Sequence, residues 1–422
     1  MPVTKENNRV LGILIRSNRI RKGYSLRELG QRANISHTLI SNIEKGQLIP
    51  SNETLRDLFK ELDLKFYDDI ELHREFMRKS KQIYTRIFNY DYAEAGALLE
   101  KLRKFEEKLM FSIDVVDYVL VKGFYYASVQ VKLKEINDAF QLYGKMIDFL
   151  TEDQQQMVYF IQGLYQLTKE YYNSATATFH RALSLGKRDR DVFIQQYLVQ
   201  TLVKQYKFID AYRISSVIIK EFEDRTIYIR AMKTKLLQAG IFYHIAKNEE
   251  VYEITSSVER FARKYNMIEL YEECILFRTK IDIRNGEFEK AKMQLSRMTN
   301  KESVSANLLY FKIAYITNDK ESLERLYNVL MKSNLSTMSL RTWNYLQVQA
   351  MSKLPSLFDR DRYLELLKWL IDFSTTHNDQ EMITLSYNYL ISLYHEERSY
   401  KKALDLTENL LHFKKIHVED KL

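Results

Sequence analysis

Residues 34–46 read NISHTLISNIEKG. Ile35, Leu39, Ile40 and Ile43 recur at helical spacing, and the other side of that helix carries His37, Thr38, Ser41, Asn42 and Lys45. Side chains of that length add little to packing but have the right size to read something pressed against them. Charge indicates what kind of surface that is. Residues 1–50 hold nine Lys or Arg against Glu6, Glu28 and Glu44, so they carry +6 of a net charge of +8 over 422 residues. This asymmetry marks the N-terminal segment as the part that meets a polyanion.

Catalytic chemistry finds no support elsewhere. The chain has no GxxxxGK[ST] phosphate loop, no GxGxxG, no HExxH and no GxSxG. LGKRDRD at 185–191 has a Gly-Lys pair without the upstream glycine and reads as an inter-helix turn. No two of the eight histidines lie three or four residues apart, and His412 and His417 are five apart. The single cysteine, Cys274 in EECILF, excludes an internal disulfide and a multi-cysteine metal site, and it reads as a buried thiol. Carboxylates are interleaved with Lys and Arg, as on solvated helix faces. An enzyme is not expected, nor is a metal or other cofactor.

The elements that position these residues are helices. A hydrophobic fraction of 45% excludes a long disordered chain, and 422 residues exceed one ordinary core. There are three prolines and 11 glycines, with no proline between Pro50 and Pro355. Helix interiors tolerate neither residue well, so an all-α protein follows. No apolar core of signal-peptide length and no run of about 18 apolar residues occurs, which implies a cytoplasmic chain that does not enter the membrane.

In the N-terminal unit, RVLGILIRSNRIRK ends at Gly23, and Ser25 with Glu28 makes a capping box for LRELGQRA. Ser36 caps the helix quoted first and Gly46 ends it; SNETLRDLFKELDL follows Pro50. Two short helices joined by a tight turn inside a small bundle are the helix-turn-helix layout. From about residue 67, helical patterns of 14–18 residues alternate with polar breaks such as RNGE and TNDK. Ala139, Ala175 and Ala211 recur at intervals of 36, and Ala291 and Ala403 sit in similar segments. A small residue there lets one helix pack closely on its partner. The spacing resembles the tetratricopeptide (TPR) repeat of about 34 residues in degenerate form, with about eight or nine helix pairs. The expected organisation is a helix-turn-helix domain at 1–66, a linker helix at 67–80, and TPR-like repeats at 81–422 that form a right-handed superhelix with a concave binding face.

The segment IRSNRIRKGYSLRELGQRANISHTLISNIEKGQLIPSNETLRDLFKELDL resembles the helix-turn-helix family of phage repressors and xenobiotic-response-element-type regulators. Matching positions include Ile15, Arg16, Arg19, Gly23, Ser25, Glu28, Leu29, Ser36, Ile40, Glu44, Gly46 and Pro50. The resemblance implies that helix 36–45 enters the major groove, with His37, Thr38 and Asn42 at base-reading positions. Asn can pair bidentately with adenine, and the Thr methyl can meet that of thymine. Ser41, Lys45, Arg16 and Arg27 become candidates for phosphate contacts. Arg19 and Glu44 match an internal ion pair of the repressors. Leu26 stands where the family usually has Gln, which leaves that phosphate contact in doubt unless Arg27 replaces it.

A repressor-type helix-turn-helix followed directly by degenerate TPR repeats resembles the RRNPP family of peptide-responsive quorum-sensing regulators. That resemblance implies a homodimer that binds double-stranded DNA and is controlled by a short signalling peptide in the repeat groove. Asn side chains can serve both ends of a peptide amide. Asn307, Asn344 and Asn388 are candidates, with Tyr310 and Tyr387, and with Trp343 and Tyr345, as pockets for side chains. Two alternatives stay open: a DNA-binding regulator whose repeats bind a protein partner or only dimerise, and a Rap-type interaction scaffold with a vestigial helix-turn-helix.

Overall fold

The computed structural model describes residues 5–67, 69–129, 136, 147–186, 189–300, 302–332, 339–377 and 379–419. Among these it has 22 α-helices and no strand, so the molecule is all-α. No helix among the described residues is long and apolar enough to cross a membrane. Ala139 and Lys187 lie outside the described residues, as do the side chains of His412 and His417.

Helices α1 (Lys5–Arg21), α2 (Leu26–Ala33), α3 (His37–Glu44) and α4 (Asn52–Leu62) form the N-terminal bundle. Local chemistry sets their ends. Ser25 Oγ accepts from the Glu28 amide while the Glu28 carboxylate accepts from the Ser25 amide, and Ser36 and Ser51 cap α3 and α4. Two glycines permit close approach: a Cβ on Gly12 would sit 2.5 Å from the Ile43 carbonyl oxygen, and one on Gly30 would sit 2.5 Å from that of Ile35. The bundle buries Ile15, Leu29, Ile40, Ile43, Leu58 and Leu62.

Helix pairs follow. The chain clusters into two compact units, 1–202 with 216–231, and 203–215 with 232–422. In the first, α5 (Ile70–Phe88) runs without a break past residue 80 and packs on α6 (Tyr92–Arg103); α7 (Glu106–Met110) leads into α8 (Val115–Ser128). Then come α9 (Glu152–Thr168), α10 (Tyr172–Leu183) and α11 (Asp191–Lys204). Phe88 stacks on Phe193 with centroids 3.8 Å apart, and Phe124 packs against Phe160 at 5.1 Å. Beside them Arg230, 1% exposed, donates to the Phe88 carbonyl at 2.6 Å, the Ile87 carbonyl at 3.1 Å and Gln196 Oε1 at 2.7 Å. The carbonyl end of α5, the negative end of its dipole, thereby receives the buried cation.

The next four helices are α12 (Phe208–Asp224), α13 (Tyr228–His244), α14 (Asn248–Lys264) and α15 (Ile268–Arg284). Each has 17 residues, and successive starts are 20 apart. The pair period here is therefore 40 residues, longer than the alanine spacing suggests. Three-residue turns set it, each with a left-handed middle residue: Thr226 (φ 59), Ala246 (φ 60) and Asn266 (φ 54). The amide after that residue reaches back five positions, as Lys247 N–H does to the Phe242 carbonyl at 2.9 Å, so each helix ends in a Schellman-type cap. The chain continues through α16 (Phe288–Ser296), α17 (Val304–Ile316), α18 (Lys320–Lys332), α19 (Leu340–Lys353), α20 (Arg360–Thr376), α21 (Gln380–Glu396) and α22 (Tyr400–Glu419). Apolar clusters join successive pairs, one through Leu295 and Ile313, the next through Phe311, Leu323 and Leu346, the third through Val348, Leu367 and Leu393.

Candidate DNA-binding interface and repeat-domain cavities

Asn34, at φ 51, turns the chain between α2 and α3, and the Ile35 amide returns to the Gly30 carbonyl at 2.9 Å. That turn fixes the angle at which α3 presents its outer face. His37, Thr38 and Lys45 are exposed on it, and Ser41 and Asn42 are half-buried. Arg27, on α2, is exposed as well.

Glu44 points the other way. It is 1% exposed and accepts from Arg19 Nε at 2.6 Å and Arg19 Nη2 at 2.8 Å, while Arg19 Nη1 donates to the Tyr24 carbonyl at 2.9 Å. This fork clamps α1 to the end of α3. Arg16 also turns inward, its guanidinium 4.4 Å from the centre of the Phe149 ring and 3.9 Å from Glu44 Oε2. Arg9 Nε donates to the Phe149 carbonyl. Two of the basic residues that give the N-terminus its charge thus lie against a residue about 140 positions away.

A second contact sits beside the first. Phe111 packs on the core of the bundle, the Tyr67 amide donates to the Phe111 carbonyl at 2.8 Å, and Lys65 lies 3.4 Å from Glu107. The bundle is therefore seated on the segments around Phe111 and Phe149. Sequence reasoning missed both. Each is one aromatic among many, and nothing in its local pattern distinguishes a seat from a core residue.

In the second unit, a cavity of about 760 Å³ lies among α16, α17 and α18. Asn307 and Tyr310 line it, together with Lys292, Thr317, Asp319 and Arg325. Asn344 is 7% exposed and belongs to the packing of α19, Asn388 is exposed, and Tyr387 is half-buried; none of these three reaches that cavity. Trp343 and Tyr345 pack against separate apolar clusters. A further cavity of about 770 Å³ is mainly apolar, with Tyr206, Phe208, Ile209, Tyr212 and Phe242 in its wall. Cys274 is buried, and burial pushes its thiol pKa up to about 12, so it is no nucleophile at neutral pH. Among the described residues no group of His, Cys, Asp or Glu is placed to hold a metal ion.

Residues 15–68 match the helix-turn-helix family. No curated protein sequence matches the chain. Among solved structures, it resembles a Rap protein complexed with competence and sporulation factor, at 14% identity and a TM-score of 0.66, over 82% of this chain and 99% of that one. The apo form of the quorum sensor NprR from B. thuringiensis superposes with a TM-score of 0.58 at 13% identity, again over 82% and 99%. NprR in complex with its cognate peptide NprX gives 0.57 at 13% identity, over 79% and 99%. Residues 15–68 are thus a helix-turn-helix domain of the repressor type, joined to repeats that share the superhelical, TPR-like fold of Rap and NprR.

Proposed function

We propose that the protein is a sequence-specific DNA-binding transcription regulator of the RRNPP type, working in the cytoplasm as a homodimer and gated by a short signalling peptide. The observation that carries this reading is the exposed outer face of α3, built on a helix-turn-helix domain and seated on a repeat fold shared with NprR. His37, Thr38 and Asn42 read base edges; Ser41, Lys45 and Arg27 touch phosphates. Arg16 begins from an internal contact, so its service to phosphate requires a shift away from Phe149. One small domain covers too little DNA for high specificity, which is why two copies on two half-sites are needed. The peptide reading draws on NprR, whose structure holds its cognate peptide, and on the cavity lined by Asn307 and Tyr310.

The test has two arms. Selection from random duplex DNA should enrich one two-fold-symmetric motif, and His37→Ala with Asn42→Ala should abolish the enrichment. Unchanged enrichment in that variant would show that α3 is not the recognition helix. Pools of short synthetic peptides should then shift the affinity for the selected duplex. If no peptide shifts it while a protein partner does, the repeats serve protein recognition instead.

A further inference from the structure

Another cavity of the second unit, of about 460 Å³, lies near the ends of α17, α19 and α21. It shares no lining residue with the cavity at Asn307, and its volume is that of a small-molecule site. Tyr315 of α17, Tyr363 of α20, Tyr389 of α21 and Phe358, just before α20, give it aromatic walls. Lys353 and Glu396, the last residues of α19 and α21, give it one charge of each sign.

The polar groups of this cavity are unequally satisfied. Tyr315 and Tyr389 serve each other, with their hydroxyls 2.9 Å apart. Tyr363 is 3% exposed, its ring lies 5.6 Å from that of Phe358, and its hydroxyl bonds to no described residue. Burial pushes the pKa of that hydroxyl up, so it stays protonated and able to donate. A buried polar group without a partner costs free energy that a ligand can recover. Lys353 is half-buried, with its ammonium 5.3 Å from the centre of the Tyr315 ring, and among the described residues it meets no carboxylate. Glu396 is exposed and meets no cation among them. The two charges thus share one cavity without pairing with each other.

We infer that this cavity binds a free amino acid with an aromatic side chain. The ligand carboxylate accepts from the Tyr363 hydroxyl and the Lys353 ammonium, and the ligand ammonium pairs with Glu396. The ligand ring packs among Phe358, Tyr315 and Tyr389, where aromatic pairs gain beyond the area they bury. A simple acid or a simple amine uses only one of the two charges, and a small aliphatic zwitterion leaves the aromatic walls uncovered. The site is separate from the one proposed for the signalling peptide, so either assignment can fail alone.

The experiment is calorimetric titration of the full chain with phenylalanine, phenylpropionate, phenethylamine and alanine. Phenylalanine should bind at least about tenfold tighter than each compound that lacks one charge, and alanine should not bind. Tyr363→Phe keeps the ring and removes only the hydroxyl. It should weaken phenylalanine about threefold to tenfold, while the melting temperature of the free protein stays equal or rises, because no bond within the chain is lost. A lower melting temperature with unchanged binding would show that the hydroxyl serves the fold and would overturn its role. Glu396→Gln should bring phenylalanine down to the level of phenylpropionate, and Lys353→Met should bring it down to that of phenethylamine. Equal binding of phenylalanine and phenylpropionate by the wild type would overturn the amino-acid assignment, and binding of none of the four would overturn the site. A phenylalanine-containing tripeptide that binds where the free amino acid does not would overturn it too, making the cavity a stretch of the peptide groove.

Discussion

Glu44 and Lys45 are neighbours in sequence with opposite fates, and the difference is burial. Glu44 is enclosed and doubly bonded to Arg19, whereas Lys45 is exposed. Removing one member of a buried pair strands the other, so Arg19→Met should destabilise the N-terminal bundle by about 3–5 kcal/mol. Adding Glu44→Leu should recover most of that loss. Hydrogen exchange of the α2 and α3 amides measures both effects; unchanged protection in the single variant would refute the structural weight given to the pair. On the exposed face the expectation is different. Lys45→Ala should weaken DNA binding about equally for all sequences and lower the salt slope by about 1. Asn42→Ala should cost about 1–3 kcal/mol and relax the preference at one base position. Anisotropy titrations across a salt series distinguish the two. The outward position of Lys45 was legible in the sequence, because spacing on α3 separates the apolar side from the polar one, whereas the inward pairing of Glu44 was expected only from the resemblance to the repressors. The inward turn of Arg16 was not, since its partner Phe149 lies in a different part of the chain.

Among the elements, seven of the second helices share one register, and α20, entered through an extended Phe358 with Tyr363 fourth, departs from it. In those seven the fourth residues are Ala95, Ala175, Ala211, Val251, Ala291, Leu323 and Ala403, and all are at most 1% exposed. A left-handed residue stands two positions before each of these helices, at 90, 170, 206, 246, 286, 318 and 398. Burial is the common property and small size only its frequent form. This explains what the sequence concealed. The pair built on Val251 lacks the alanine, so the distance from Ala211 to Ala291 spans two pairs of 40 residues. The left-handed turns were equally hidden, because most are not glycine. A left-handed alanine is strained, and Ala246 is exposed, with little packing to lose. Ala246→Gly should therefore stabilise the second unit by about 0.5–1 kcal/mol, seen as a higher melting temperature. A lower one would mean that the Ala246 methyl makes contacts that outweigh the strain.

For the whole molecule, the proposed gating requires that an event in the repeats reach α3. In the first unit the bundle rests on Phe111 and Phe149, which gives the two domains a defined contact instead of a loose tether. Composition and periodicity cannot reveal such a seat: each aromatic reads as core until its partner is known. If peptide occupancy alters the affinity for DNA by some factor, then DNA must alter the affinity for peptide by the same factor. On the proposed reading, the seat is a contact through which that coupling can pass, because a signal needs an element with defined contacts on both sides. Phe149→Ala removes the ring under Arg16, a contact of about 0.5–2 kcal/mol, while leaving the outer face of α3 and the cavity at Asn307 untouched. The coupling factor should then fall towards one by up to roughly tenfold. Measuring it in both directions, peptide affinity with and without the selected duplex and duplex affinity with and without a selected peptide, gives an internal check. The two values must agree in each protein. A factor as large in Phe149→Ala as in the wild type would show that the signal takes another route, and that Arg9 and Arg16 hold the bundle in place without informing it.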